Sequence, residues 1–171
     1  MDEIHPLIVT LKLDAGSFKP LDTMRRDYFP PERNFLSAHL TLFHALPGKE
    51  QSSIGACLRQ LSIETAPVRL EFPRIRMLGR GVAVDVVSAD LQRLHARLAQ
   101  RFGAWLTPQD RQAFKPHVTI QNKVSPQQAR DLYDVLQPAW TMAPGTGEGL
   151  LLWQYLGGPW RHIAEFAFSG S

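Results

Sequence analysis

The patterning of this chain predicts an α+β fold of antiparallel sheets with flanking helices. Two observations carry that expectation. Strand-like stretches meet at short turns, Gly79-Arg80-Gly81 and Gly157-Gly158-Pro159, which suit hairpins rather than the helical crossovers of parallel sheets. Helical spacing is confined to four stretches, too few for a regular β-α alternation.

Leu7, Val9, Leu11 and Leu13 alternate with Ile8, Thr10 and Lys12 and predict a first strand. A helix is expected from Ser17 to about Tyr28, with Pro20 near its start and Pro30-Pro31 ending it. A polar loop then enters a strand over Ala38–Leu46, stopped by Pro47-Gly48. Residues 50–62 show helical spacing, and Cys57 sits there beside Ile54, Leu58 and Leu61 as a small core residue. Val68, Leu70 and Phe72 alternate, but beyond Pro73 the apolar positions become Ile75 and Met77. That slip of one residue predicts a bulge or a strand break at the proline. Val82, Val84 and Val86 form the partner strand of the Gly79–Gly81 turn, with Asp85 expected outward. Leu91, Leu94, Leu98 and Phe102 mark an amphipathic helix between Ser88, a cap, and Gly103. His95 lies beside that stripe as a boundary packing residue. A strand is expected from about His117 to Val124, followed by a helix opening at Ser125-Pro126 with Leu132, Val135 and Leu136 inward. Residues 144–149 read as a Gly/Pro loop. A closing hairpin runs Leu150–Leu156 and Trp160–Phe168, with Trp153 and Tyr155 on one face as packing residues.

Composition narrows the function classes. The 171 residues are 44% hydrophobic and 20% charged, as expected for one globular domain of two small lobes spanning 1–171. No apolar run is long enough for a membrane span. The acidic start, Met1-Asp2-Glu3, does not read as a signal peptide. One cysteine allows no intrachain disulfide, which fits a reducing cytoplasm, the expected location. A net charge of +3 and a pI near 9.3 favour an anionic ligand, but no Lys/Arg run suggests a protein that coats nucleic acid, and no DNA partner is expected. The arginines at 25, 26, 33, 74, 76 and 80 read as solvated faces. No Cys/His cluster has zinc spacing and no Gly-rich phosphate loop precedes a helix, so neither a metal nor a cofactor is expected.

The chemistry lies in a repeated tetrad, His-Leu-Thr-Leu at 39–42 and His-Val-Thr-Ile at 117–120. On a strand, His39 and Thr41 share one face while Leu40 and Leu42 anchor the other. His117 and Thr119 repeat the arrangement against Val118 and Ile120. One His-x-Thr triplet is common by chance. Two, each inside an alternating apolar strand, supply two groups titrating near neutrality and two hydroxyl donors. Those are the parts needed to break a phosphodiester without a metal. Strand parity adds Phe43, Lys115, Gln121 and Lys123 as possible substrate-binding neighbours. It turns His44, five positions from His39, to the opposite face and a structural role at the strand end.

The double motif resembles the 2H phosphoesterase superfamily, which includes 2'-5' RNA ligases and cyclic nucleotide phosphodiesterases. The likeness extends to Phe-Lys-Pro-His-Val-Thr at 114–119 and to the closing segment at 150–160. It implies two lobes related by a pseudo-twofold axis around a central cleft. It also implies that His39 and His117 form an acid–base pair, either one serving as the base, while Thr41 and Thr119 bind the phosphate. The expected reaction is opening of a cyclic phosphodiester on a nucleotide, an RNA terminus or an ADP-ribose derivative. The alternatives are ATP-independent 2'-5' ligation in the same site, or a non-catalytic RNA- or nucleotide-binding module. A monomer acting on a nucleotide or RNA-terminus substrate is expected. Where ligase-like relatives often carry an arginine after the second motif, this chain has Gln121-Asn122-Lys123, which weakens the case for an oligonucleotide substrate.

Overall fold

The first tetrad and the second end up in different sheets. The computed structural model describes residues 4–171, so the acidic start at 1–3 lies outside the described residues. Among the described residues, eight strands form two antiparallel sheets. Strands β1 (Leu7–Leu13), β2 (Leu40–Leu46), β3 (Val68–Leu70), β7 (Gly145–Tyr155) and β8 (Trp160–Ala167) make the larger, in the order β2-β1-β7, with β3 and β8 sharing the far edge of β7. Strands β4 (Ile75–Met77), β5 (Val82–Asp85) and β6 (His117–Gln121) make the smaller, in that order. Four helices flank them: α1 (Ala15–Tyr28), α2 (Gln51–Glu64), α3 (Ala89–Phe102) and α4 (Pro126–Leu136). This is the expected α+β class with antiparallel sheets. Among the described residues no helix is long and apolar enough to cross a membrane.

The helices divide between the sheets. α2 and α3 pack together, with α2 against β7 and β8 and α3 against β3, while α1 lies mainly on β6 and α4 on β4 and β5. Their start signals are local. Asp14 caps α1 by accepting the Ser17 N–H, which sets the start two residues earlier than the sequence suggests. Ser88 Oγ accepts the Leu91 N–H of α3, and Ser125 with Gln128 forms a reciprocal capping box on α4. The inward stripe of α4 is Ala129, Leu132, Tyr133 and Leu136, a helical i, i+3, i+4, i+7 set. Val135 falls off that stripe and is 72% exposed, contrary to expectation.

The slip at Pro73 is a strand break. β3 ends at Leu70 and pairs with β7, and β4 begins at Ile75 and pairs with β5, so the chain changes sheets across the proline. The Gln137 side-chain oxygen accepts the Ile75 N–H at 2.8 Å, and Trp140 Nε1 donates to the Phe72 carbonyl at 2.9 Å, fixing the crossing against the end of α4. Asp85 is buried rather than outward, because Arg74, just before β4, and Arg76 of β4 both bind its carboxylate.

The expected loop at 144–149 is strand: β7 begins at Gly145. Its glycines answer crowding rather than turning. A Cβ on Gly147 would lie 2.7 Å from Val68 Cγ2 and 2.8 Å from Leu11 Cδ2, and one on Gly149 would lie 2.5 Å from the Phe166 carbonyl oxygen. A loop glycine would accept alanine almost without cost. Gly149→Ala here should destabilise by about 1–3 kcal/mol, the scale of overpacking. Chemical denaturation of the variant checks this, and an unchanged midpoint would count against the close approach of β7 and β8.

Candidate active site

β2 and β6 approach one another across the boundary between the sheets. The motif residues meet crosswise. His39 and Thr119 line one cavity of about 430 Å³, and Thr41 and His117 line another of about 350 Å³. A third cavity, about 680 Å³, opens on the other flank of His39 and is walled by Trp153, Trp160 and Phe18. The Trp160 ring lies 4.7 Å from the His39 imidazole, and Trp153 Nε1 donates to Thr10 Oγ1 at 2.9 Å.

Both motif histidines are oriented by the same device. His39 Nδ1 lies 2.8 Å from the carbonyl oxygen of Ser37, and His117 Nδ1 lies 2.9 Å from that of Lys115, two residues upstream in each case. A carbonyl can only accept, so each Nδ1 carries the hydrogen and each Nε2 is left to act on a ligand. Neither the Thr41 nor the Thr119 hydroxyl has a hydrogen-bond partner among the described residues, so both are free to donate to a ligand.

The electrostatics push both imidazoles towards the neutral form. Desolvation lowers His39 to about 4, with the charges of Arg25, His117 and His44 adding to it and the Ser37 carbonyl opposing. Desolvation also lowers His117; Arg76 and His44 lower it further, while the Lys115 carbonyl and Asp85 oppose them. Arg76 Nη1 sits 3.2 Å from His117 Nδ1, and both nitrogens converge on the Lys115 carbonyl.

Two register slips correct the parity reading of β2. Between Leu7 and Thr10 of β1, β2 gains extra residues, so Leu42 and Phe43 are both buried in succession. Phe43 therefore does not continue the His39/Thr41 face. It is fully buried, stacked 4.6 Å from His95 and edge-on to Phe102. His44 turns the other way and joins Thr41 and His117 along their cavity. Its Nδ1 lies 3.0 Å from Asp110, whose carboxylate also accepts the N–H groups of His44 and Ala45.

A slip between Val82 and Ala83 of β5 does the same to β6. Gln121 is buried with its Oε1 unpartnered and faces a cavity beside Tyr28 and Glu32, away from His117. Lys123 lies beyond β6 with φ +63 and edges the His39/Thr119 cavity; Lys115 edges the Thr41/His117 cavity. His95 is sandwiched between Phe43 and Phe114, whose ring is 3.9 Å away, and its Nε2 donates to the Leu42 carbonyl at 3.2 Å.

Sequence reasoning missed Arg25 and Arg76. Arg25 is 4% exposed and lies on the buried stripe of α1 with Ser17 and Leu21. That i, i+4, i+8 spacing was the available signal. Arg76 alternates with Ile75 and Met77 on β4, which sets it opposite the core face. Among the described residues, no group of three or more His, Cys, Asp or Glu could hold a metal ion.

An α+β frame of two antiparallel sheets, with a His-x-Thr tetrad from each meeting at the boundary, is the architecture of a class of phosphoesterases and RNA ligases. The family model described as the 2'-5' RNA ligase superfamily matches residues 13–159, and the chain belongs to that superfamily. No curated protein matches the sequence. Among solved structures, TT0787 of Thermus thermophilus is similar at 19% identity with a TM-score of 0.67, covering 97% of this chain and 99% of that one. E. coli LigT without ligand is similar at 18% identity and a TM-score of 0.63, and LigT complexed with 3'-AMP at 17% and 0.62, each covering 98% of this chain and 99% of that one. These likenesses show a shared fold.

His39, His95 and His117 all sit below the ordinary 6.5 in the folded protein, by desolvation in each case. The unfolded chain therefore binds more protons than the native one once pH falls below about 6.5. Stability should be full above that value and fall on acidification towards the folded values, about 4 for His39. Ordinary carboxylates titrate lower, so the window from about pH 6.5 to about 5 belongs to the imidazoles. Melting temperature should drop across it, and His39→Asn should flatten the slope. A melting temperature constant from about pH 7 to about 5 would rule out the desolvated imidazoles.

Proposed function

We propose that this chain is a metal-independent phosphodiesterase that opens a cyclic phosphodiester on a nucleotide or RNA terminus, with His39 and His117 as base and acid. The observation that carries the reading is the matched pair of imidazoles. Each is held through Nδ1 by the carbonyl two residues before it, beside a threonine hydroxyl with no protein partner among the described residues. A fold that only bound nucleotides would need neither the common tautomer nor the two free hydroxyls.

The chemistry follows from the charges. An anionic diester between the imidazoles raises both from their depressed values. His39 is held lower, so it stays neutral and serves as base while His117 takes up the proton and serves as acid. His39 Nε2 accepts a proton from water as the water oxygen attacks phosphorus in line. The bond from phosphorus to one ribose oxygen breaks, and His117 Nε2 delivers its proton to that oxygen. The product is a phosphate monoester beside a free hydroxyl, and the histidines have exchanged protonation states. Thr41 and Thr119 donate to the non-bridging oxygens, which hold charge throughout. The cavity walled by Trp153 and Trp160 offers aromatic faces for the nucleobase. With a nucleoside 5'-hydroxyl in place of water, the same steps join that hydroxyl to the cyclic phosphate as the ribose 3'-oxygen leaves with the proton from His117, so ATP-independent 2'-5' ligation needs no further residue.

Two measurements test this. Hydrolysis of 2',3'-cyclic nucleotides should persist in excess EDTA; loss of turnover restored by a divalent cation would overturn the mechanism. His39→Ala and His117→Ala should each lower turnover by about two or more orders of magnitude, and the double variant should be little worse than either. Thr41→Val and Thr119→Val should lose less, since each removes one hydrogen bond. Histidine variants that melt early instead of losing activity would make the motifs structural.

A further inference from the structure

Among the described residues, the His39/Thr119 cavity is bordered by three cations, Arg25, Arg33 and Lys123, and by no carboxylate. Arg25 is the most informative of them. Its guanidinium is buried, stacks 4.2 Å over the Phe29 ring and has no salt-bridge partner among the described residues. Nε donates to Asn34 Oδ1 at 2.9 Å and to the Leu36 carbonyl at 3.0 Å, and Nη1 donates to the Thr119 carbonyl at 3.0 Å. Those acceptors are neutral, and Nη2 makes no hydrogen bond among the described residues. The Asp22 carboxylate acts on it from beyond ion-pair distance and does not offset the burial, so this guanidinium has lost water without gaining a direct counter-ion. Such a group is completed by an anion with paired oxygens, above all phosphate.

Lys123 adds an independent observation. It is the only non-glycine among the described residues with positive φ, at +63, a conformation that lysine rarely adopts. Asn122 Oδ1 supports the turn by accepting the Lys123 N–H at 2.9 Å. Strained backbone of this kind is found where a side chain must be aimed, and Lys123 borders the same cavity as Arg25. Glu32 borders only the neighbouring cavity that Lys123 also edges.

We infer that this cavity is a second phosphate subsite: the substrate carries, besides the diester at the histidines, another phosphate held by Arg25, Arg33 and Lys123. This rests on the proposed phosphodiesterase reading and narrows its substrate class. The cavity shares His39 and Thr119 with the reaction centre, so both phosphates belong to one molecule about a sugar apart. Two sources fit: a 5'-phosphate on a nucleoside 2',3'-cyclic phosphate, or the internucleotide phosphate next to a cyclic RNA end. In either case Arg25, from the first half of the chain, adds a guanidinium to Lys123, which lies just after the second motif.

The test compares three substrates: adenosine 2',3'-cyclic phosphate, its 5'-phosphorylated form, and the dinucleotide ApA ending in the cyclic phosphate. Either doubly charged substrate should exceed the first in kcat/KM by about tenfold or more, and which one does identifies the source. Arg33→Ala combined with Lys123→Asn, which suits the positive φ, should reduce that preference at least severalfold, mainly through KM, and raised salt should do the same. Arg25→Lys should also reduce it. Because Arg25 is built into the fold, the surface pair decides the matter if that variant melts early. Equal kcat/KM on all three substrates, or a preference untouched by the surface pair, overturns the subsite. If no cyclic substrate is opened, the phosphodiesterase reading fails by itself. Calorimetric titration with adenosine 3',5'-bisphosphate against adenosine 3'-phosphate then decides the subsite, with tighter binding of the bisphosphate supporting it and equal binding overturning it.

Discussion

The meeting of the two motifs depends on one constraint: two strands from different sheets, sharing no backbone ladder, must be held in fixed relation. β2 ends the five-stranded sheet and β6 ends the three-stranded one. Each is secured from a helix by a side chain reaching a backbone carbonyl within its tetrad. Arg25 of α1 donates to the Thr119 carbonyl of β6 and also to Asn34 and Leu36 on the approach to β2. His95 of α3 donates to the Leu42 carbonyl of β2. Arg25 thus ties both motifs to one planar group, and a buried guanidinium permits little adjustment of its acceptors.

The two halves of the chain reach similar chemistry by unlike means. Each motif histidine follows a buried small or ring residue, Ala38 or Pro116, and is oriented by the carbonyl two residues before it. The surroundings then differ. His39 meets an indole and a buried arginine, whereas His117 meets Arg76 and, behind it, Asp85. Identical tautomers in different electrostatic settings give the pair its asymmetry, the feature on which the proposed division into base and acid rests.

Much of this was legible in the sequence, because the signals were local. The caps at Ser88 and Ser125, the hairpin glycines and the one-residue slip at Pro73 all mark features that occur where expected. What failed shares one cause. Parity arguments assume an unbroken ladder, and slips in β2 and β6 reversed the facing of Phe43, His44 and Gln121. No residue in either strand announces a slip, since it arises from pairing with β1 and β5. The run at 144–149 misled for a related reason, because glycine that admits a neighbouring strand looks the same in one dimension as glycine that turns a chain. Arg25 was readable from its place on the stripe of α1, but charge outweighed spacing in that reading.

The slips in β2 also bear on how such a site changes over evolutionary time. His39 and Thr41 lie before the Leu42/Phe43 irregularity, and His44 lies after it. Loss or gain of a single codon there would exchange the aromatic that braces the core for the imidazole that faces the cleft, while leaving His39 and Thr41 in register. The strand thus carries a segment in register and a slipped one in series. An insertion or deletion in the second would alter the rim of the pocket, a larger step than substitution, without shifting His39 and Thr41.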